Sequence, residues 1–165
     1  MAETARDIYV TGLRNAHAME IQARELMERQ SERMDDYPEV KAKLTMHLAE
    51  TKEQLARLES CLQDLAEDNS TLKDTAQSVM ANFMAMFHAA APDEILKNTF
   101  ANNAFENFEI AAYKSLISMA EAAGQPKAKE ILQRSLDEEQ KMADWVRDNV
   151  EKLTSAYLAK ATAAA

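Results

Sequence analysis

Breaks in helical propensity are so few in this chain that they dictate what it can fold into. Its 165 residues include two glycines, Gly12 and Gly124, and three prolines, Pro38, Pro92 and Pro126. Tight turns draw on such residues because they need a positive or a preset φ. A sheet-rich fold needs many turns, so their scarcity leaves a few long helices. The remaining composition agrees: Ala, Leu, Met, Glu, Lys, Gln and Arg dominate, and these are the strong helix formers.

The breaks divide the chain into segments with apolar residues at helical spacing. The first runs over about 4–35, with Tyr9, Leu13, Ala16, Ala23, Met27 and Met34 on one stripe. Gly12 interrupts it at a propensity cost of about 1 kcal/mol, which suits a close neighbour. Asp36-Tyr37-Pro38 makes a reversal, with Pro38 placed to open the next helix. The second segment, about 39–66, carries the seam Leu44, Leu48, Thr51, Leu55, Leu58, Leu62 and Leu65 and stops at Glu67-Asp68-Asn69-Ser70. Residues 71–91 read as a shorter helix, apolar over much of its surface, closed by Ala91-Pro92-Asp93. The third long segment, about 93–123, has Phe105, Ala112, Tyr113, Leu116, Ile117 and Ala120 inward. Gly124-Gln125-Pro126 separates it from a fourth, about 127–159, with Leu132, Leu136, Ala143, Val146, Val150 and Leu153. Residues 160–165 read as a flexible tail.

Short connections join the first pair and the last pair of long helices, and a long one joins the pairs. Two antiparallel hairpins linked by one long crossover are the ferritin-like four-helix bundle. The expectation is therefore an all-α, single domain over residues 1–165, with an additional helix in the crossover.

Charge narrows the partners. The net charge of −9 disfavours nucleic acid, which needs clustered Lys and Arg, and an anionic membrane surface. It suits a neutral or cationic partner, or a metal cation. The single cysteine, Cys61, excludes an internal disulfide and a cysteine-rich zinc site. No apolar run reaches the roughly 18 residues of a transmembrane helix. Without a signal-peptide core near the N-terminus, the expected location is the cytoplasm.

The informative residues are charges on apolar stripes. Glu20 lies between Ala16 and Ala23. Glu109 has Glu106 one turn before it and Tyr113 one turn after. Glu139 lies between Leu136 and Ala143. The second segment offers His47 and Gln54 on its inner face and Glu50 at the flank. Glu109 and Glu139 are equally far in sequence from Gly124, so a hairpin sets them level. Around Tyr37, Glu20 and Glu50 are offset by about one turn, at ~1.5 Å per residue. A buried, unpaired carboxylate is costly, and few basic residues share these stripes. A divalent metal pair would offset that cost and takes such ligands. The alternatives are ordinary ones: a solvated glutamate, a hydrogen-bonded core histidine at His47, or packing at Tyr113. His17 precedes Glu20 by three residues, as His47 precedes Glu50, and either histidine could orient a carboxylate.

Four stretches carry a family resemblance: Asn15-Ala-His-Ala-Met-Glu-Ile-Gln22, His47-Leu-Ala-Glu-Thr-Lys-Glu-Gln-Leu-Ala-Arg-Leu-Glu59, Ala104-Phe-Glu-Asn-Phe-Glu-Ile-Ala-Ala-Tyr113 and Leu136-Asp-Glu-Glu139. Together they resemble the bacterial YciE/YciF-type ferritin-like family over nearly the whole chain. The resemblance implies a ferritin-like bundle, commonly a homodimer, with a di-metal centre of Fe or Mn, no organic cofactor and a link to stress responses. Carried over by motif, the ligands are Glu20, Glu50 with His47 nearby, Glu109 with Glu106 beside it, and Glu139 with Glu138 as the competing choice. Iron-oxidising ferritins and rubrerythrin-like proteins carry Glu-x-x-His on the second and fourth helices. Here Glu53 follows Glu50 and Met142 follows Glu139 at that spacing, and the histidine precedes Glu50.

Two functions follow as expectations. One is a stress-linked di-metal carboxylate protein handling iron, oxygen or peroxide. The other is a metal-free interaction module whose Met- and Phe-rich residues 79–87 form a dimer face. A cage-forming iron-storage subunit is a weaker third.

Overall fold

The structure is a computed structural model that describes residues 2–66 and 93–163. Among the described residues there are four helices and no strand: α1 (Ala5–Ser31), α2 (Pro38–Asp64), α3 (Glu94–Ala122) and α4 (Pro126–Ala163). The crossover helix expected at 71–91 lies outside these residues.

Each helix end has a local cause. Thr4 caps α1 in a reciprocal box with Asp7, which satisfies two free backbone donors. Pro38 and Pro126 stand first in α2 and α4, where a missing N–H costs nothing. Gly124 ends α3 with φ 69°, and the paired bonds Gln125 N–H to Ala120 O (2.9 Å) and Gly124 N–H to Glu121 O (3.0 Å) close the cap. The Arg6 guanidinium donates to Leu65 O at 2.8 Å, serving the carbonyl end of α2.

Two boundaries differ from the sequence expectation. Helix α1 stops at Ser31, and Met34 turns in to be buried within the reversal. Helix α4 continues to Ala163, so the tail expected from residue 160 is helical there. Lys160 explains it: the ammonium lies 3.2 Å from Asp36 Oδ2 and 4.4 Å from the Tyr37 ring centroid, which ties the last turn to the first hairpin.

The helices form a ring in the order α1, α2, α4, α3, and each packs on its two neighbours. All four contacts are antiparallel. His17 meets Glu59 across α1–α2, Gln30 meets Asn102 across α1–α3, and Arg57 meets Glu138 across α2–α4. Helix α2 therefore ends where α3 also ends, and α3 starts at the opposite end of the bundle. A single long connection must span that length, as the ferritin-like topology requires. Leucines from every helix (Leu13, Leu44, Leu58, Leu62, Leu116, Leu132) fill the interior on either side of a polar middle layer. Burying each stabilises the fold by about 1.5–3 kcal/mol. Gly12 has the close neighbour its position suggested: a Cβ there would lie 2.7 Å from Met119 Sδ and 3.0 Å from Leu116 Cδ1.

Candidate metal centre

Four helices bring acidic side chains into that middle layer. On α1, Glu20 takes a stripe position between Ala16 and Ala23, whose small side chains leave room for it. On α3, Glu106 and Glu109 are three residues apart, so both face inward at once, with Tyr113 a turn further on. Helix α4 supplies Glu139, set against Met142 and Ala143. Helix α2 supplies His47, Thr51 and Gln54 at spacings of four and three. Each of these eight side chains is at least nine-tenths buried.

His47 is the hub. Its Nδ1 lies 2.8 Å from Glu50 Oε2 on the rim, and its Nε2 lies 3.3 Å from both Glu106 Oε2 and Glu139 Oε2. One donor atom from each of His47, Glu106 and Glu139 falls within 4.8 Å of the others, close to the spread that a shared ion needs. Gln54 Nε2 donates to Glu139 Oε1 at 2.5 Å and to Glu138 Oε2 at 3.0 Å. The Tyr113 hydroxyl donates to Glu20 Oε1 at 2.7 Å. Five buried carboxylate oxygens accept no hydrogen bond: Glu20 Oε2 and both oxygens of Glu109, and also Glu106 Oε2 and Glu139 Oε2, which have only the ion-pair contact with His47. Buried acceptors are seldom left so.

Charge follows from this crowding. Burial, reinforced by Glu139, pushes the carboxyls of Glu20 and Glu109 well above the usual range. Burial raises Glu106 to about 8 against the pull of His47. Burial works against the His47 cation, but close contacts with Glu106, Glu139 and Glu50 outweigh it and raise that group to about 12. The same contact with His47 holds Glu50 below its ordinary value. Burial thus favours the protonated forms of Glu20, Glu106 and Glu109, while the contacts of His47 favour its cation.

The donor set fits divalent cations. Oxygen-rich sites with one imidazole suit Fe or Mn, and a carboxylate behind the imidazole is the usual way to fix such a ligand. Glu50 holds that position on Nδ1, while Nε2 faces the acids.

Of the residues singled out in the sequence, Glu20, Glu106, Glu109, Glu139, His47, Gln54 and Tyr113 share this layer. His17 does not join them. Its Nε2 lies 3.1 Å from Glu59 Oε1, on the α1–α2 seam, because three residues along a helix turn it about 60° from Glu20. Glu138 faces the rim, where Arg57 binds it through two nitrogens at 2.6 and 2.9 Å. Arg57 escaped the sequence reading, since a rim residue breaks no apolar stripe. Its only signal is its spacing, three residues after Gln54.

The sequence pattern of the family described as Domain of unknown function (DUF892) matches residues 4–159. The chain belongs to this family. Three solved structures share its fold. A protein of Xanthomonas campestris pv. campestris is 30% identical, with TM-score 0.81 and a match covering 96% of this chain and 99% of that one. The Escherichia coli stress protein YciF is 21% identical, with TM-score 0.79, covering 93% and 99%. YcfI, described as a putative structural protein of Rhodopseudomonas palustris, is 23% identical, with TM-score 0.70, covering 87% and 93%. These folds agree with the ring of four helices described above. Among the described residues, no helix is long and apolar enough to cross a membrane.

Proposed function

We propose that this chain is a cytoplasmic, stress-associated ferritin-like protein that holds two divalent cations, Fe or Mn, in its middle layer. The observation that carries the reading is a group of buried carboxylates around a single imidazole: Glu20 Oε2 and both oxygens of Glu109 have no hydrogen-bond partner, and Glu106 Oε2 and Glu139 Oε2 meet only His47. Left without cations, such a set costs several kcal/mol of desolvation or forces the acids to stay protonated. His47, Glu106 and Glu139 would hold one ion, and Glu20 and Glu109 would contribute to holding the second. Bound Fe or Mn supplies redox chemistry toward oxygen or peroxide. The chain's own part is to exclude water with the leucine layers, to fix the imidazole through Glu50, and to fix Glu20 through Tyr113.

A second reading has its own support. His47 already faces three carboxyl groups, and Gln54 and Tyr113 bond two of the acids, so part of the layer is compensated without metal. In that reading the chain is a metal-free structural or interaction module, and YcfI's description as a putative structural protein points the same way.

Metal analysis separates the two. Protein made with iron or manganese, without chelator or a histidine tag, should carry close to two ions per chain, and Glu109→Ala should remove at least one. Binding below about a tenth of an ion per chain, unchanged by Glu109→Ala, leaves only the metal-free reading.

A further inference from the structure

Four side chains make a continuous line from the rim of the bundle to the middle layer. Arg57 donates from Nη1 to Glu138 Oε2 at 2.6 Å and from Nη2 to Glu138 Oε1 at 2.9 Å, the two-pronged form that fixes a carboxylate in direction as well as in place. Bonds to Ser135 Oγ at 3.2 Å and Glu53 Oε2 at 3.1 Å hold the guanidinium itself. Gln54 Nε2 then spans adjacent glutamates of α4, donating to Glu138 Oε2 at 3.0 Å and to Glu139 Oε1 at 2.5 Å. Ion pairs such as Lys129–Glu121 and Arg147–Asp144 are exposed at both ends, and such pairs contribute little. Arg57 and Glu138 differ: their side chains are 18% and 17% exposed, and Gln54 and Glu139 behind them are fully buried.

The line decides which way the buried amide faces. A glutamine side chain has two N–H hydrogens on one atom and an acceptor oxygen on the other. With Nε2 serving both glutamates, Gln54 Oε1 is turned away from them and has no hydrogen-bond partner. The reversed amide would set that oxygen against two carboxylates. Glu138 thus gives the observed orientation a second bond, and Arg57 fixes Glu138. The consequence falls on Glu139. Gln54 takes its Oε1, so Oε2 is the oxygen that faces His47 Nε2 at 3.3 Å, where Glu106 Oε2 also lies at 3.3 Å.

We propose that Arg57 is a positioning residue for the cation site, aiming Glu139 Oε2 through Glu138 and Gln54. The proposal rests on the reading of the middle layer as a metal centre. Arg57 can act on a bound cation in two ways, and they have opposite signs. Its charge repels a cation, so losing that charge alone would tighten binding. Its hold on Glu138 keeps a ligand in place, so losing that hold weakens binding.

Isothermal titration of the full chain with manganese(II) tests it, on the wild type, Arg57→Gln, Gln54→Leu and the double variant. Arg57→Gln should keep its helical circular dichroism and the number of ions bound, and lose affinity by about three- to tenfold, less than a group bonded directly to a ligand costs. With Gln54 replaced the line is already cut, so adding Arg57→Gln should then change affinity by less than about twofold. A merely structural Arg57 would lower the melting temperature in both backgrounds and leave the affinity alone. Should glutamine unfold the bundle, Arg57→Lys carries the same comparison, since it keeps the charge but not the two-pronged contact. Unchanged or tighter binding by Arg57→Gln overturns the proposal, and so does an equal loss in the Gln54→Leu background; the metal reading survives either result. A wild type that binds no manganese overturns that reading, and the proposal with it.

Discussion

The Tyr113 hydroxyl donates a hydrogen bond of 2.7 Å to Glu20 Oε1, joining α3 to α1 inside the bundle. Both residues are fully buried, and the other oxygen of Glu20 has no partner. The tyrosine is thus the only hydrogen-bond donor the chain offers that carboxyl group, among the described residues. Tyr113→Phe removes it with little change of shape. Leaving a buried acceptor unmet costs about 1–3 kcal/mol. For a domain of this length the metal-free protein should melt about 3–10 °C lower. If cations take up Glu20, the loaded protein should lose less. Thermal melts of both forms check this, and an unchanged metal-free melting temperature would discount the bond.

The same crowding gives the metal-free protein an unusual dependence on pH. The Glu106 carboxyl group is raised from 4.5 to about 8 by burial, and those of Glu20 and Glu109 are raised as well. A raised carboxyl favours folding while protonated. That contribution is whole below the unfolded value of 4.5 and is lost as pH climbs through the folded value of about 8. His47 acts in the same direction over a later window: its contribution is whole below 6.5 and fades as pH rises toward about 12. The metal-free protein should therefore be less stable at pH 8 than at pH 5. Cations displace these protons, so apparent metal affinity should rise over the same interval. Denaturant titrations with and without added manganese read both trends. A metal-free protein that grows more stable toward pH 8 would contradict the buried cluster.

Adjacent glutamates on α4 should behave differently. Glu139 faces His47 and Gln54 within the bundle, whereas Glu138 is held at the rim by Arg57. Glu139→Gln should weaken metal binding at least about a hundredfold, and Glu138→Gln by no more than about tenfold, the lower end for groups one step removed from an ion. Isothermal titration of the two proteins distinguishes them. Equal losses would show that the rim pair is part of the site.

Much of this was legible before any coordinates. Glycine and proline positions fixed the helix order, because so few other residues could turn the chain. Glu109 and Glu139 could be levelled by counting from Gly124, since both hang from one tight turn. What periodicity could not resolve was direction within a turn. His17 looked like a partner for Glu20, yet its angular offset sends it to Glu59. Glu106 read as an accessory to Glu109, yet it is Glu106 that meets His47. The pairing of Arg57 with Glu138 depends on how α2 and α4 slide against each other, which no single helix encodes. The helical end of α4 depends on Lys160 reaching the Tyr37 reversal, a contact between opposite ends of the sequence.

Gly12 tests the packing of α1 on α3 independently of the polar layer. An alanine there gains about 1 kcal/mol of helix propensity. Its Cβ would come within 2.7 Å of Met119 Sδ and 3.0 Å of Leu116 Cδ1. Met119 is half-buried and can rotate, since its thioether belongs to a flexible side chain. Leu116 is buried and has less freedom. The gain and the crowding nearly cancel, so Gly12→Ala should change stability by less than about 1 kcal/mol. A branched side chain cannot be accommodated by moving Met119 alone. Gly12→Val should cost about 1–3 kcal/mol, seen as a lower denaturation midpoint with an unchanged slope. Should valine be tolerated as well as alanine, α1 and α3 would be further apart at this level than the Gly12–Met119 contact indicates.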